Sequence, residues 1–167
     1  AGSRVARWLK RHPDGVSILG LRVRNLAHTQ EILTQRGATF CTDIIEEQDY
    51  AHHPFRYFEI ATPLGDVRFR FIERTADTLP PHFLLVESKL THPCPFQFID
   101  HVTSNFLTIE PYVTWLRDVM GFEEYWQIQF HSSDVKGQGG SGLSSIVMWD
   151  PHSKIKLANN EPAIPNF

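Results

Sequence analysis

Histidine is the residue type with the most chemistry to offer in this 167-residue chain, which carries nine of them. Neutral imidazole suits iron, zinc and nickel alike, so what matters is which histidine can meet partners. His101 sits in an apolar-alternating stretch, Phe96 to Asn105, that reads as a strand. There it is either a metal ligand or a core histidine bonded to a backbone carbonyl. His52 and His53 are adjacent, so on a strand they point to opposite faces and cannot share an ion. His82, His92, His131 and His152 fall in linker or loop sequence. Glu161 closes the last strand pattern, where its carboxylate either faces His101 or accepts backbone N–H groups. Nucleophile chemistry has no support: there is no Gly-x-Ser-x-Gly elbow, and neither Cys41 nor Cys94 has an activating context. The run Gly137-Gln138-Gly139-Gly140-Ser141-Gly142 lacks the Gly-Lys-Ser/Thr ending of a phosphate loop and reads as a flexible connection.

Composition narrows the setting. The chain is 41% hydrophobic and 21% charged, the profile of a folded protein with a real core. Sixteen basic and nineteen acidic residues give a net charge of −3 with no basic run, so no nucleic-acid footprint exists. No apolar stretch approaches the roughly 18 residues of a membrane span, and no secretory signal opens the chain. Two cysteines cannot build a disulfide framework, and the expectation is a reduced, cytoplasmic protein.

The elements that must position His101 come in a repeated order. Ala1-Gly2-Ser3 reads as a cloning remnant, although Ser3 could equally cap a short helix that Pro13-Asp14-Gly15 ends. A strand over 16–24 precedes a helix that Asn25 caps and Gly37 stops. Strands are expected at 39–46, 55–61 and 66–73. Prolines at 80, 81, 93 and 95 mark a linker over 76–95. The order then recurs: a strand over 96–105, a helix that Thr108 caps and Gly121 stops, and strands at 124–130, 143–149 and 154–160. Asn25 against Asn105, Gly37 against Gly121 and Glu73 against Glu161 give offsets of 80, 84 and 88, as loop insertions do to a duplicated unit. This alignment sets Leu21 opposite His101. The expected fold is α+β, with one β-α-β-β-β unit over 1–75 and a second over 96–167, each a half-open barrel.

Four segments of the second unit carry a family resemblance in order and at compatible spacing: Ile99-Asp100-His101-Val102-Thr103-Ser104-Asn105, Leu116-Arg117-Asp118-Val119-Met120-Gly121-Phe122, Ser141-Gly142-Leu143-Ser144-Ser145-Ile146-Val147-Met148 and Asn160-Glu161-Pro162. They resemble 4-hydroxyphenylpyruvate dioxygenase, of the vicinal-oxygen-chelate superfamily. Arg11 to Val16, with Arg36-Gly37-Ala38, is similar to the second unit of that family's N-terminal domain.

The resemblance implies units two and three of a four-unit protein, with the remaining ligands in the fourth. It also implies Fe(II) on two histidines and a glutamate, the first histidine being His101, with Ser145, Asn160 and Thr103 near the substrate. The implied partners are an α-keto acid and O2, the products homogentisate and CO2. An isolated fragment would be inactive, and its exposed strand edges imply a homo-oligomer or a missing C-terminal segment. Two departures from the family pattern are Ala158, where proline is usual, and Thr103-Ser104 in place of Val-Gly. The rival readings are 4-hydroxymandelate synthase, which oxidises the benzylic carbon, and a non-catalytic binding module of the same superfamily.

Overall fold

The computed structural model describes residues 2–75, 79–83, 95–131 and 142–163. The chain divides into two compact units, Ala1–Glu87 and Ser88–Phe167. His92, Cys94, the glycine-rich connection before Gly142 and the side chain of His131 lie outside the described residues.

Unit one begins with α1 (Arg4–Leu9), whose first turn Ser3 caps by accepting the Ala6 N–H. Ser3 is therefore a working cap, the second of the two readings its sequence position offers. Then come β1 (Ile18–Arg22), α2 (Leu26–Gln35), β2 (Ile45–Gln48), β3 (Pro54–Ala61) and β4 (Arg68–Arg74). Asn25 caps α2 through its side chain on the His28 N–H, and Gly37 leaves it at φ 78°, as the sequence predicts. The sheet order is β1-β4-β3-β2, with β1 parallel to β4 and the other pairs antiparallel. Leu21, Phe58, Ile60, Phe69 and Phe71 share one face of the sheet and are buried with Leu26 and Leu33 of α2. The strand expected over 39–46 is displaced. Cys41 pairs with the Glu59 carbonyl, but the Glu59 N–H goes to the Thr42 hydroxyl, which interrupts the ladder until Ile45. His52 and His53 are not on a strand either. They lie in the turn before β3, His52 at φ 63°, built around Asp49, which accepts the N–H groups of Ala51 and His53.

Unit two contains β5 (His101–Asn105), α3 (Glu110–Trp115) running into a π-helical turn over Leu116–Met120, then β6 (Glu123–His131), β7 (Gly142–Trp149) and β8 (Lys156–Pro162). Its sheet order, β5-β8-β7-β6, repeats that of unit one, including the parallel pair of first and last strands. Met148, Leu157 and Asn159 face the helix with Tyr112, Val113 and Leu116, and all are buried. The strand expected from Phe96 starts only at His101, and Phe96, Phe98 and Ile99 lie outside the ladder and exposed. Thr108 does not cap α3. Ile109 occupies that position, and its N–H is taken by the Glu161 carboxylate at 2.8 Å. Glu73 does the same for Leu26 at 2.7 Å.

Register corrects the alignment of the two units. Ile18 pairs with Arg68 as His101 pairs with Lys156, and Leu26 meets Glu73 as Ile109 meets Glu161. The offset across the first strand and helix start is therefore 83 residues, so the counterpart of His101 is Ile18, not Leu21. The asparagines misled because they are not equivalent positions: Asn25 caps α2, whereas Asn105 ends β5.

Candidate functional site

The face of the second sheet turned away from its helix carries every expected site residue. Because paired residues on neighbouring strands share a face, the register arranges them in rows. His101, Lys156, Trp149 and Glu123 form one row; Thr103, Ala158, Val147 and Trp126 the next; Asn105, Asn160, Ser145 and Ile128 the third. The sheet thus brings Asn160 and Ser145 directly opposite each other. Four residues separate His101 from Asn105, so the first and third rows stand about 13 Å apart along the strands. Thr103 lies between them.

Each polar group has a defined environment. His101 is about half exposed, and its Nδ1 lies 3.0 Å from Asp100 Oδ2. The other oxygen of Asp100 accepts from Lys156 Nζ at 2.8 Å. These hydrogen bonds, first that of Lys156 and then that of His101, hold the Asp100 carboxyl below its ordinary range. Asn160 Nδ2 donates to Asn105 Oδ1 at 3.1 Å. Ser145 is 6% exposed. Trp126, Ile128, Phe130 and Leu143 flank the rows on the same face, each exposed well beyond a core side chain. Polar hydrogen-bonding groups beside exposed apolar walls are the composition of a small-molecule site.

Among the described residues no three His, Cys, Asp or Glu side chains gather at one point. The Nε2 of His101, which makes no hydrogen bond among the described residues, fits a metal as one ligand. A facial set of two imidazoles and a carboxylate needs two further donors. Glu161 is not one of them: it lies on the helix-facing side, bonded to Ile109. None of the other described histidines joins His101 in such a cluster. His53 pairs with Asp49, His152 with Asp150 and His12 with Asp66, while His82 is exposed at φ 70°.

The equivalent face of unit one is filled differently. Glu59, the counterpart of Val147, is fully buried and bonded by Arg4, Arg68 and Arg70. Sequence reasoning missed Asp100, Lys156 and Asn105 as members of the site. Asp100 is adjacent to His101 and was available as a signal, whereas Lys156 is brought there only by the register of β5 on β8.

The two β-α-β-β-β sheets are of the glyoxalase, or vicinal-oxygen-chelate, fold type. A variant of 4-hydroxymandelate synthase from Streptomyces coelicolor superposes with a TM-score of 0.75 at 16% identity, covering all of this chain and 48% of that one. A fusion of a xylose isomerase-like TIM barrel with 4-hydroxyphenylpyruvate dioxygenase superposes at 0.62 with 13% identity, over 93% of this chain and 22% of that one. In sequence, the chain is 29% identical to 4-hydroxyphenylpyruvate dioxygenase of Dictyostelium discoideum over 95% of its own length and 44% of the relative's. It is 28% identical to that of Caenorhabditis elegans over 96% and 42%. The chain is thus similar to 4-hydroxyphenylpyruvate dioxygenases over nearly its whole length, and it spans under half the length of these relatives. No protein-family model matches it. Among the described residues no helix is long and apolar enough to cross a membrane.

Proposed function

We propose that this chain supplies one half of a non-haem Fe(II) site that converts 4-hydroxyphenylpyruvate and O2 to homogentisate and CO2. The observation that carries the reading is His101, with Nδ1 engaged by Asp100 and Nε2 unengaged, on the same face as Ser145 and Asn160. The likeness to 4-hydroxyphenylpyruvate dioxygenases over 95% of the chain supports it.

His101 would hold the iron through Nε2, the other ligands coming from elsewhere in the whole protein. When bound, the iron supplies the binding of the α-keto acid and the oxidising power drawn from O2. The residues of this chain orient and enclose. The spacing of about 13 Å between the His101 and Asn160 rows suits an elongated ligand with its keto acid at one end and its phenol at the other. Asn160 accepts from, and Ser145 donates to, the polar groups of that ligand. Trp126, Ile128, Phe130 and Leu143 offer the aromatic ring an apolar wall and keep water from it. Thr103, between the two rows, offers a further hydroxyl on that face.

The test is turnover by the whole protein with Fe(II) and 4-hydroxyphenylpyruvate. Homogentisate formation that His101→Ala abolishes supports the reading. 4-Hydroxymandelate as product would move the oxidation to the benzylic carbon. Binding of the keto acid with neither product would make the protein a binding module.

A further inference from the structure

The hydrogen bonds around His101 decide which of its two nitrogens is left for a ligand. We infer that Asp100 and Lys156 act as a clamp that fixes the tautomer of His101, placing the proton on Nδ1 and keeping the Nε2 lone pair unprotonated.

The argument is one of donors and acceptors. An ionised carboxylate only accepts, so Asp100 Oδ2, 3.0 Å from His101 Nδ1, requires a proton on that nitrogen. The neutral ring then has an acceptor at Nε2, the nitrogen not engaged by Asp100. Asp100 could turn away were its other oxygen not held by Lys156 Nζ at 2.8 Å. Lys156 arrives from the neighbouring strand as the register partner of His101, and its ammonium lies 5.9 Å from the Tyr125 ring. A cross-strand cation thus fixes a carboxylate, and the carboxylate fixes an imidazole. Metal-binding histidines commonly donate their second nitrogen to a carboxylate, which orients the ring and strengthens it as a ligand. Asp100 and Lys156 are positioning residues in this scheme, and their purpose rests on the metal reading above, although the tautomer does not.

The clamp makes an unusual prediction for Asp100→Asn. The lysine can only donate, so it retains the amide oxygen and the amide NH2 turns toward His101 Nδ1. That ring nitrogen must then accept, and the proton moves to Nε2. In Asp100→Asn/Lys156→Met the oxygen is released, the amide can present either end to Nδ1, and the ring is no longer held in one tautomer. His101 and Asp100 are both about half exposed, so none of these changes disturbs the core.

The experiment is long-range 1H–15N NMR of the imidazoles in the 167-residue chain and both variants, without metal, at a pH where the 15N shifts themselves show the ring to be neutral. The expected result is Nδ1–H in the parent, Nε2–H in Asp100→Asn and a mixture of the two tautomers in the double variant. A parent ring protonated on Nε2, or no change in Asp100→Asn, overturns the clamp. Co(II) added to the same samples is expected to broaden the His101 resonances in the parent and the double variant. In Asp100→Asn the effect should need about tenfold or more additional Co(II). If the tautomers behave as stated and Co(II) leaves His101 untouched in the parent, the clamp stands and the metal reading falls.

Discussion

The carboxylate of Glu59 accepts from three guanidinium groups while wholly removed from solvent. Burial alone would raise its pKa, but the hydrogen bonds of Arg4 and Arg70 outweigh that cost and hold it at about 2. A carboxylate whose folded-state pKa lies below its ordinary 4.5 adds stability above that value and loses it as pH falls toward about 2. Thermal unfolding of unit one should therefore weaken across that window, and Glu59→Gln should flatten the dependence. At neutral pH the same substitution should cost about 2 kcal/mol. Breaking a fully buried pair costs about 3–5 kcal/mol, but Arg4 and Arg68 can turn to solvent. Denaturant midpoints with an unchanged slope would measure it. Nothing in Phe58-Glu59-Ile60 announces this group, since one acid in an apolar run reads as the solvent side of a strand. Its partners come from α1 and β4, and their distance in sequence hides them.

At the level of elements, the device common to both units is the glutamate that ends the last strand and closes the first turn of the helix. The carboxyl of Glu73 is held low first by the Leu26 N–H, and then by Arg56, which bonds it at 2.8 Å. Glu161→Ala leaves the Ile109 N–H without its acceptor and should destabilise unit two by about 1–2 kcal/mol. Glu73→Ala should cost unit one more, because Arg56 loses a partner as well. Hydrogen exchange at the amides of Ile109 and Leu26 would report each loss separately. Gly121 ends the π-helical turn at φ 73°, and Gly121→Ala should cost about 1 kcal/mol for the same reason that glycine is common there. Sequence alone recovers the helices, their terminal glycines and most strands, because 3.6- and 2-residue periods are local. It loses strand beginnings, as at Phe96 and Thr39, where alternation continues but the ladder has no partner to offer. The structural role of Glu161 was among the two sequence readings, and the bond to Ile109 selects it.

On the scale of the molecule, the duplication was legible from the order of elements and the growing offsets, while the equivalence of His101 with Ile18 needed the ladders. The two copies differ in what they do with one face. In unit one a carboxylate and three arginines occupy it; in unit two Trp126, Ile128, Phe130 and Leu143 stand exposed on it. An exposed apolar surface of this kind is sticky. The 167-residue chain should therefore self-associate in sedimentation and bind an apolar dye. Trp126→Gln with Phe130→Gln should reduce both, and equal behaviour of parent and variant would show that the face is not responsible.

The parallel pairing of β5 with β8 has a consequence for how the protein is made. Among the described residues β8 is the only neighbour of β5, yet fifty residues of chain lie between them. A ribosome therefore releases His101 long before the strand that will hold it. Until Lys156–Pro162 emerges, His101 has no cross-strand lysine, Asn105 has no asparagine beside it, and Ile109 has no glutamate. The edge that carries His101 is the last part of its unit to be assembled, and a nascent chain stopped before Lys156 would carry every described helix without the strand that pairs with β5.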